Sequence, residues 1–579
     1  MLHSIETMPK ILFSYFLILF LGACTGAGKI HGLKNIDPYN YSITKKASGK
    51  NGAVVSAHPL ASKTGVEILK KGGNAFDAAI AIQLALAVVY PRAGNIGGGG
   101  FMVARLSNSE LLALDFRETA PSAAHRDMYL DDKGNVEPNK SINGHLSGGV
   151  PGTIAGLFES MQYANLPFKI LIQPAIELAE KGFVVTKAEA DLLNSIQKDL
   201  EQFNTMPSAF SKSLPWIAGD TLVQKDLAST LKRIRDDGPQ GFYEGQTAKL
   251  IVDEMKRGNG MISFDDLKNY KAKWRTPHTF MYKGYKIVSM PMPSSGGVLL
   301  HQMMKMVEET PLPSYGFLSP QAVQLMVEAE RRAYADRAEY MGDADFFKVP
   351  EKELTDDSYI KGRMKDFVAD KAGNSKDIKP GKLVKKESEE TTHLSVIDKN
   401  GNAVSITTTL NNNYGSKTVI GGAGFFLNDE MDDFSVKPGV PNLYGAVGGE
   451  ANAIAPGKRM LSSMTPTIVL RDNNPFLVLG TTGGTTISTS VFQTIIDVID
   501  FGMSTEAAVS ASKFHHQWLP DRIDVEDDFP AALKARLESM GYTINVRNKI
   551  GRTEVIKVSP DRTIEAIADS RGDDGAEAY

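Results

Sequence analysis

Between Ala372 and Thr391 the chain changes character, and that step constrains its fold more than any other feature. The stretch AGNSKDIKPGKLVKKESEE, residues 372–390, is glycine, proline and charge with almost nothing to bury, and it reads as an exposed linker. Directly after it, Thr391 to Asp398 and Ala403 to Leu410 alternate apolar and polar residues about Lys399-Asn400-Gly401-Asn402, a hairpin signature. A second pair, Thr467 to Leu470 and Phe476 to Gly480, is joined across Arg471-Asp472-Asn473-Asn474. Upstream, Leu60 to Gly72 predicts a helix closed by Gly72-Gly73. Asn74 to Tyr90 predicts another that is apolar on nearly every face, hence buried on most sides, while Asp77 and Gln83 within it argue against a membrane span. A helix over Gln321 to Tyr340 and a strand over Tyr285 to Met290 complete the pattern. Strand-rich blocks with helices on both sides predict a layered α/β protein.

A chain of 579 residues, 42% hydrophobic and 23% charged, can build a large core without staples. It needs none, because Cys24 is its only cysteine and neither an internal disulfide nor a Cys-based metal site can form. The net charge of −4, with no polybasic block, points away from nucleic acid. Of ten histidines only His515-His516 are neighbours, and adjacent residues cannot share a helix face as metal ligands. The apolar run Ile11 to Ala23 fits a signal-peptide core, and Met8 offers a cleaner start than Met1. Its end, Leu21-Gly22-Ala23-Cys24, resembles a bacterial lipobox. The expectation is therefore a signal peptide over 1–23, export to the periplasm, either a lipid anchor on Cys24 or ordinary cleavage near Ala23 with Cys24 incidental, and an irregular tether over 24–49.

Several familiar chemistries fail on spacing. Gly97 to Gly100 lacks the Lys-Ser/Thr of a phosphate loop, and no Gly-x-Ser-x-Gly elbow sits between a strand and a helix. What remains is Thr391 at the linker–strand step. A threonine hydroxyl is a weak nucleophile unless a base adjoins it, and a free N-terminal amine on the same residue can be that base. The position makes chemical sense if the chain is cut just before it, although most such threonines simply start a strand. Farther on, Gly480-Thr481-Thr482-Gly483-Gly484 separates a strand from a helix carrying Ile487, Val491, Ile495 and Ile499, so its amides can form an oxyanion hole or merely a turn.

In one order the chain carries Phe116-Arg117-Glu118-Thr119-Ala120-Pro121, Pro293-Ser294-Ser295-Gly296-Gly297, Ala333-Tyr334-Ala335-Asp336-Arg337 and Thr391-Thr392-His393. These are followed by Leu427 to Phe434, Pro438 to Asn442, Leu461 to Thr467, Gly483-Gly484 and Phe514 to Asp521. Together they resemble the gamma-glutamyltransferase family over residues 50 to 579. The resemblance implies an N-terminal-nucleophile hydrolase fold, an αββα sandwich with two mainly antiparallel sheets between helical layers. It implies self-cleavage between Glu390 and Thr391 into a large subunit, 50–390 plus its tether, and a small one, 391–579, forming one intertwined heterodimer. Thr391 would be the nucleophile, oriented by Thr409, and Gly483 and Gly484 would hold the oxyanion. Arg117, Ser462 and Ser463 would receive the α-carboxylate of a γ-glutamyl group; Asn411, Glu430 and Asp433 would accept its α-ammonium. Tyr444 would lie on a lid loop over 438–449.

The implied substrates are glutathione and other γ-glutamyl compounds, with amino acids, peptides or water as acceptors and no cofactor or metal. Leu394 stands where the family often has an aromatic residue, and Thr481-Thr482 where Ser-Pro is common, departures that touch fine specificity. Two other readings stay open on sequence: a cephalosporin-acylase-like amidase on the same scaffold, and an inactive surface-binding lipoprotein.

Overall fold

Strand alternation decides the layering. In the computed structural model, which describes residues 35–137, 139–379, 391–437 and 449–579, fourteen strands form two seven-stranded sheets. In chain order they are β1 (46–49), β2 (52–56), β3 (99–105), β4 (111–115), β5 (273–275), β6 (278–282), β7 (285–289), β8 (392–398), β9 (403–409), β10 (467–471), β11 (474–481), β12 (553–558), β13 (564–567) and β14 (575–578). One sheet runs β14-β2-β8-β9-β3-β4-β5 and the other β1-β13-β12-β11-β10-β7-β6, with every pairing antiparallel.

Each sheet is buried on both faces, so successive residues must serve two different cores. On the first sheet, Val54, Leu394, Val396, Val404 and Ile406 face helices α1 (Pro59–Lys70) and α2 (Ala75–Val89). The alternate residues Val55, Phe101, Val103 and Ala403 meet Val288, Ile468, Val478 and Ile556 of the second sheet in a middle layer. The far face of the second sheet, through Ile287, Val469, Leu477 and Leu479, packs on α3 (Gly296–Glu308), α4 (Pro320–Tyr340) and α5 (Thr486–Ile499). This is the expected αββα sandwich. Each such buried side chain contributes about 1.5–3 kcal/mol. Helix α2 is buried along its whole length, as its composition predicts, and an Asn74–Asp77 capping box starts it.

Three expectations need adjusting. The second hairpin turns in two residues, Asp472 and Asn473, both at positive φ, which suits the twist of the strands better than a four-residue loop. Residues 35–49 do not hang free. Ile36 is buried, Val184 N–H donates to Pro38 O at 3.0 Å, and β1 pairs with β13. The linker is likewise pinned over its first third. Ser375 and Ile378 are buried, and the Trp518 indole N–H bonds to both of their carbonyls at 2.9 Å. Polar residues there bury because backbone and side-chain partners satisfy them, a pairing that composition cannot reveal. Cys24, Glu390 and Tyr444, and with them the scissile bond and most of the lid, lie outside the described residues.

Candidate active site

The nucleophile candidate sits at a sheet end. Thr392 pairs with Thr408 and His393 with Thr407, so continuing the register sets Thr391 level with Thr409, which in turn pairs with Gly99. Thr391 is buried, and Thr409 Oγ1 accepts from Asn411 N–H at 2.7 Å. His393 is not a nearby base. Its ring is held by Thr407 Oγ1 at 2.9 Å and Ser395 Oγ at 3.0 Å, and burial pushes its pKa down to about 3. That ring fills the space where a Cβ on Gly480 would lie, 2.3 Å from its nearest atom, so glycine lets β11 close against β8 beside Thr391.

Three residues later the chain turns at Gly483 (φ +118°) and Gly484 (φ +60°) before α5. A side chain at Gly483 would be strained by that φ and would also meet Thr486 Oγ1 at 2.5 Å. The carbonyls of both glycines are taken by Thr486 and Ile487 N–H at the start of α5. Their own N–H groups donate to no acceptor among the described residues. Two adjacent unused donors at a helix N-terminus are the donor set an oxyanion needs.

Tied to the strand of Thr409 through Leu410 and Asp429 lies a buried charge cluster. Arg117, at the end of β4, donates through Nη1 to Glu430 Oε1 and through Nη2 to Asp433 Oδ2, and reaches the Met460 and Leu461 carbonyls at 3.3 Å. Glu118 Oε2 lies 3.7 Å from Nη1. Glu430 and Asp433 come from a short helical turn over 430–433, whose preceding Asp429 N–H bonds to Leu410 O at 3.0 Å. Asn452 ties this turn to the serine loop: its Nδ2 donates to Asp433 O at 2.7 Å and its Oδ1 accepts from Leu461 N–H at 3.0 Å. One guanidinium facing three carboxylates leaves excess negative charge in a dry site. Burial accordingly raises Glu118 to about 8 and holds Glu430 well above the ordinary carboxylate range against the pull of Arg117.

The cluster is incomplete. Among the described residues, Glu430 Oε2 and Asn411 Oδ1 are buried acceptors without a hydrogen-bond partner, as are both oxygens of Glu118. Asn411 spends its amide N–H on Asp429 O at 3.0 Å, which leaves Oδ1 as its open group. Ser462 and Ser463 present the opposite polarity. Ser462 Oγ accepts from Met464 N–H at 3.2 Å and Ser463 Oγ accepts from Arg337 Nη2 at 2.7 Å, so each hydroxyl hydrogen remains to be donated.

The structure thus gathers Thr391, Thr409, Gly483, Gly484, Arg117, Asn411, Glu430, Asp433, Ser462 and Ser463 on connected segments. It also adds residues that sequence reasoning quoted without assigning a role: Glu118 beside the guanidinium and Arg337 behind Ser463. No sequence signal singles out Arg337, because α4 also buries Glu328, Glu330, Arg331, Arg332 and Asp336.

The family model for gamma-glutamyltranspeptidase matches residues 61–579. The chain belongs to the gamma-glutamyltranspeptidase family. It is similar to the glutathione hydrolase proenzyme of Escherichia coli (strain K12), 46% identical over 544 residues, 93% of this chain and 94% of that one. Among solved structures, cephalosporin acylase from Bacillus halodurans superposes with TM-score 0.81 at 25% identity, covering 94% of this chain and 99% of that one. Helicobacter pylori gamma-glutamyltranspeptidase matches at 45% identity with TM-score 0.55, over 56% of this chain and 94% of that one. As a gamma-glutamyltranspeptidase-family protein, the chain is an enzyme with the N-terminal-nucleophile hydrolase architecture.

Proposed function

We propose that this enzyme matures by cutting itself before Thr391 and then transfers γ-glutamyl groups from glutathione and related amides. The observation that carries the reading is the pair of open buried acceptors, Asn411 Oδ1 and Glu430 Oε2, beside the Arg117 guanidinium. A γ-glutamyl group brings an α-ammonium and an α-carboxylate. The ammonium satisfies Asn411, Glu430 and Asp433, while Arg117, Ser462 and Ser463 take the carboxylate. Arg117 is held in place by Glu430 and Asp433 until the substrate arrives.

With the substrate so anchored, the freed Thr391 amine takes the hydroxyl proton as Oγ1 attacks the γ-carbonyl. Thr409 orients that hydroxyl. The oxyanion receives the Gly483 and Gly484 N–H groups. Collapse expels the amine, protonated by the Thr391 ammonium, and leaves a γ-glutamyl ester on Thr391. An amino acid, a peptide or water then attacks the ester by the same route in reverse. No cofactor enters any step. Processing yields a large subunit beginning at Cys24 and ending at Glu390, paired with a small subunit 391–579, in the periplasm and anchored through Cys24.

The acylase reading keeps one point in its favour, the close superposition on a cephalosporin acylase. A glutaryl side chain has no ammonium, however, and would leave the Asn411 and Glu430 acceptors unpaired, at a cost of about 1–3 kcal/mol per group. The test is a denaturing gel with mass spectrometry of both termini. The wild-type chain is expected as two pieces, one starting at Thr391 and one at a lipid-modified Cys24, and Thr391→Ala as one uncut chain. Cleavage of purified Thr391→Ala at the same bond overturns self-processing by Thr391, and an unmodified large-subunit terminus overturns the anchor.

A further inference from the structure

Behind the Gly483-Gly484 turn lies a buried polar network that the proposed chemistry does not use. Thr485, the next residue, is gripped from two sides. Its carbonyl accepts from the Tyr334 hydroxyl, and its own hydroxyl donates to Gln517 Oε1 at 2.6 Å. Gln517 is fixed in turn, because its Nε2 donates to Leu519 O at 3.2 Å and so its Oε1 must be the atom facing Thr485. The same Oε1 lies 3.0 Å from His515 Nε2, which assigns the ring proton to Nε2 and leaves Nδ1 to accept from Thr489 Oγ1 at 2.9 Å. Thr485 Oγ1 itself lies 3.3 Å from the same His515 Nε2.

Helix α4 supplies the other half. Glu330, Tyr334 and Arg337 recur at i, i+4 and i+7 and therefore share a face. Glu330 accepts from His516 N–H at 2.9 Å and from Gln493 Nε2 at 3.0 Å; Tyr334 holds the Thr485 carbonyl; Arg337 holds Ser463 Oγ at 2.7 Å. Tyr334 also meets the His515 ring edge-on, with centroids 5.5 Å apart. One helical stripe thus reaches the residue after the two glycines and one of the serines expected to bind the carboxylate.

We propose that Tyr334 and Gln517 are positioning residues that fix the two glycine N–H groups where the oxyanion forms, by clamping Thr485 between α4 and the 515–517 segment. The proposal rests on the γ-glutamyl-transfer reading. Neither side chain touches the substrate; both act through the backbone of the turn, whose carbonyls the start of α5 holds and whose glycines have no side chains of their own to fix the direction of their N–H groups. A preorganised donor stabilises the tetrahedral state more than the bound substrate, so the clamp's contribution belongs in kcat.

The experiment uses the processed enzyme, with rates referred to the cleaved fraction on a gel. Three readouts are compared: kcat for a γ-glutamyl amide, the Kd of glutamate as a ground-state ligand, and the affinity of a boronic acid that adds to a hydroxyl as a tetrahedral adduct. Tyr334→Phe and Gln517→Leu are each expected to lose about tenfold or more in kcat, since removing an oxyanion donor outright costs more than that. Boronate affinity falls by the same factor and glutamate affinity stays unchanged. Thr485→Val reproduces the loss, Thr485→Ser restores it, and Gln517→Leu with Thr485→Val is no worse than either alone. Unaltered kcat in an active background overturns the clamp, and so does a parallel fall in glutamate affinity, which marks a general structural role. A wild-type enzyme that neither turns over the amide nor binds the boronate overturns the γ-glutamyl reading and the clamp with it.

Discussion

Arg117 and Arg571 both hold their side chains buried against carboxylates, and they differ in what is left over. Arg571 donates to both oxygens of Glu526 at 2.7 and 2.5 Å, to Asp569 at 3.2 Å, and to the Val509 and Ala511 carbonyls. Glu526 also accepts from Lys513 and Ile550 N–H at 2.8 Å, so every polar atom of that pair is used. Around Arg117, by contrast, Glu430 Oε2, Asn411 Oδ1 and both Glu118 oxygens stay open among the described residues. A complete buried network holds elements together, whereas an incomplete one leaves groups that a ligand can satisfy. Arg571 staples the turn between β13 and β14 to the strand 523–526, while Arg117 holds two carboxylates beside acceptors that stay open.

Replacing both arginines by methionine separates the roles. Arg117→Met removes two charge-assisted bonds to the substrate carboxylate, each worth about 1.5–3 kcal/mol, so kcat/KM should fall roughly 10²- to 10⁴-fold. Its stability should change less, because burial already favours the neutral forms of Glu118 and Glu430, which need no cation beside them. Arg571→Met strands Glu526 and should cost about 3–5 kcal/mol in denaturant unfolding, with turnover per folded molecule little altered. Equal stability losses for the two variants would erase the distinction.

A smaller effect appears in pH dependence. Glu118 is raised from 4.5 to about 8, so between those values the folded chain holds a proton that the unfolded chain has lost. Stability from this group is full below about pH 4.5, declines as pH rises, and is gone above about 8. Glu118→Gln should therefore gain on wild type progressively from pH 5 to 8, and the gain should then level off. A wild-type minus variant difference in Tm that stays flat over that range contradicts a protonated Glu118.

Much of this was legible in the sequence because it was local. The hairpin at 399–402, the saturated helix α2 and the glycines after β11 carry their reasons in their own residues. The charge types expected at the site came from the family resemblance, and the structure brings one guanidinium and three carboxylates together there. What could not be read was pairing at a distance. Ser375 and Ile378 look like linker until Trp518 is brought to them, and residues 35–49 look like a tether until β13 offers an edge. Arg117 was expected to receive a substrate carboxylate, with a structural ion pair to Asp433 as the lesser reading; the structure shows that pair and adds Glu430, contacts spanning more than three hundred residues of chain.

The central claim is that the open acceptors around Arg117 await an ammonium. Measuring kcat/KM of wild type and Asp433→Asn on a γ-glutamyl amide and on the matching glutaryl amide, which differs only in lacking that ammonium, tests it directly. Loss of one charge-assisted hydrogen bond should cost the variant roughly 10- to 100-fold on the γ-glutamyl amide and little on the glutaryl amide. Equal losses on both would mean that Asp433 holds the fold or the guanidinium alone, and would contradict the ammonium site.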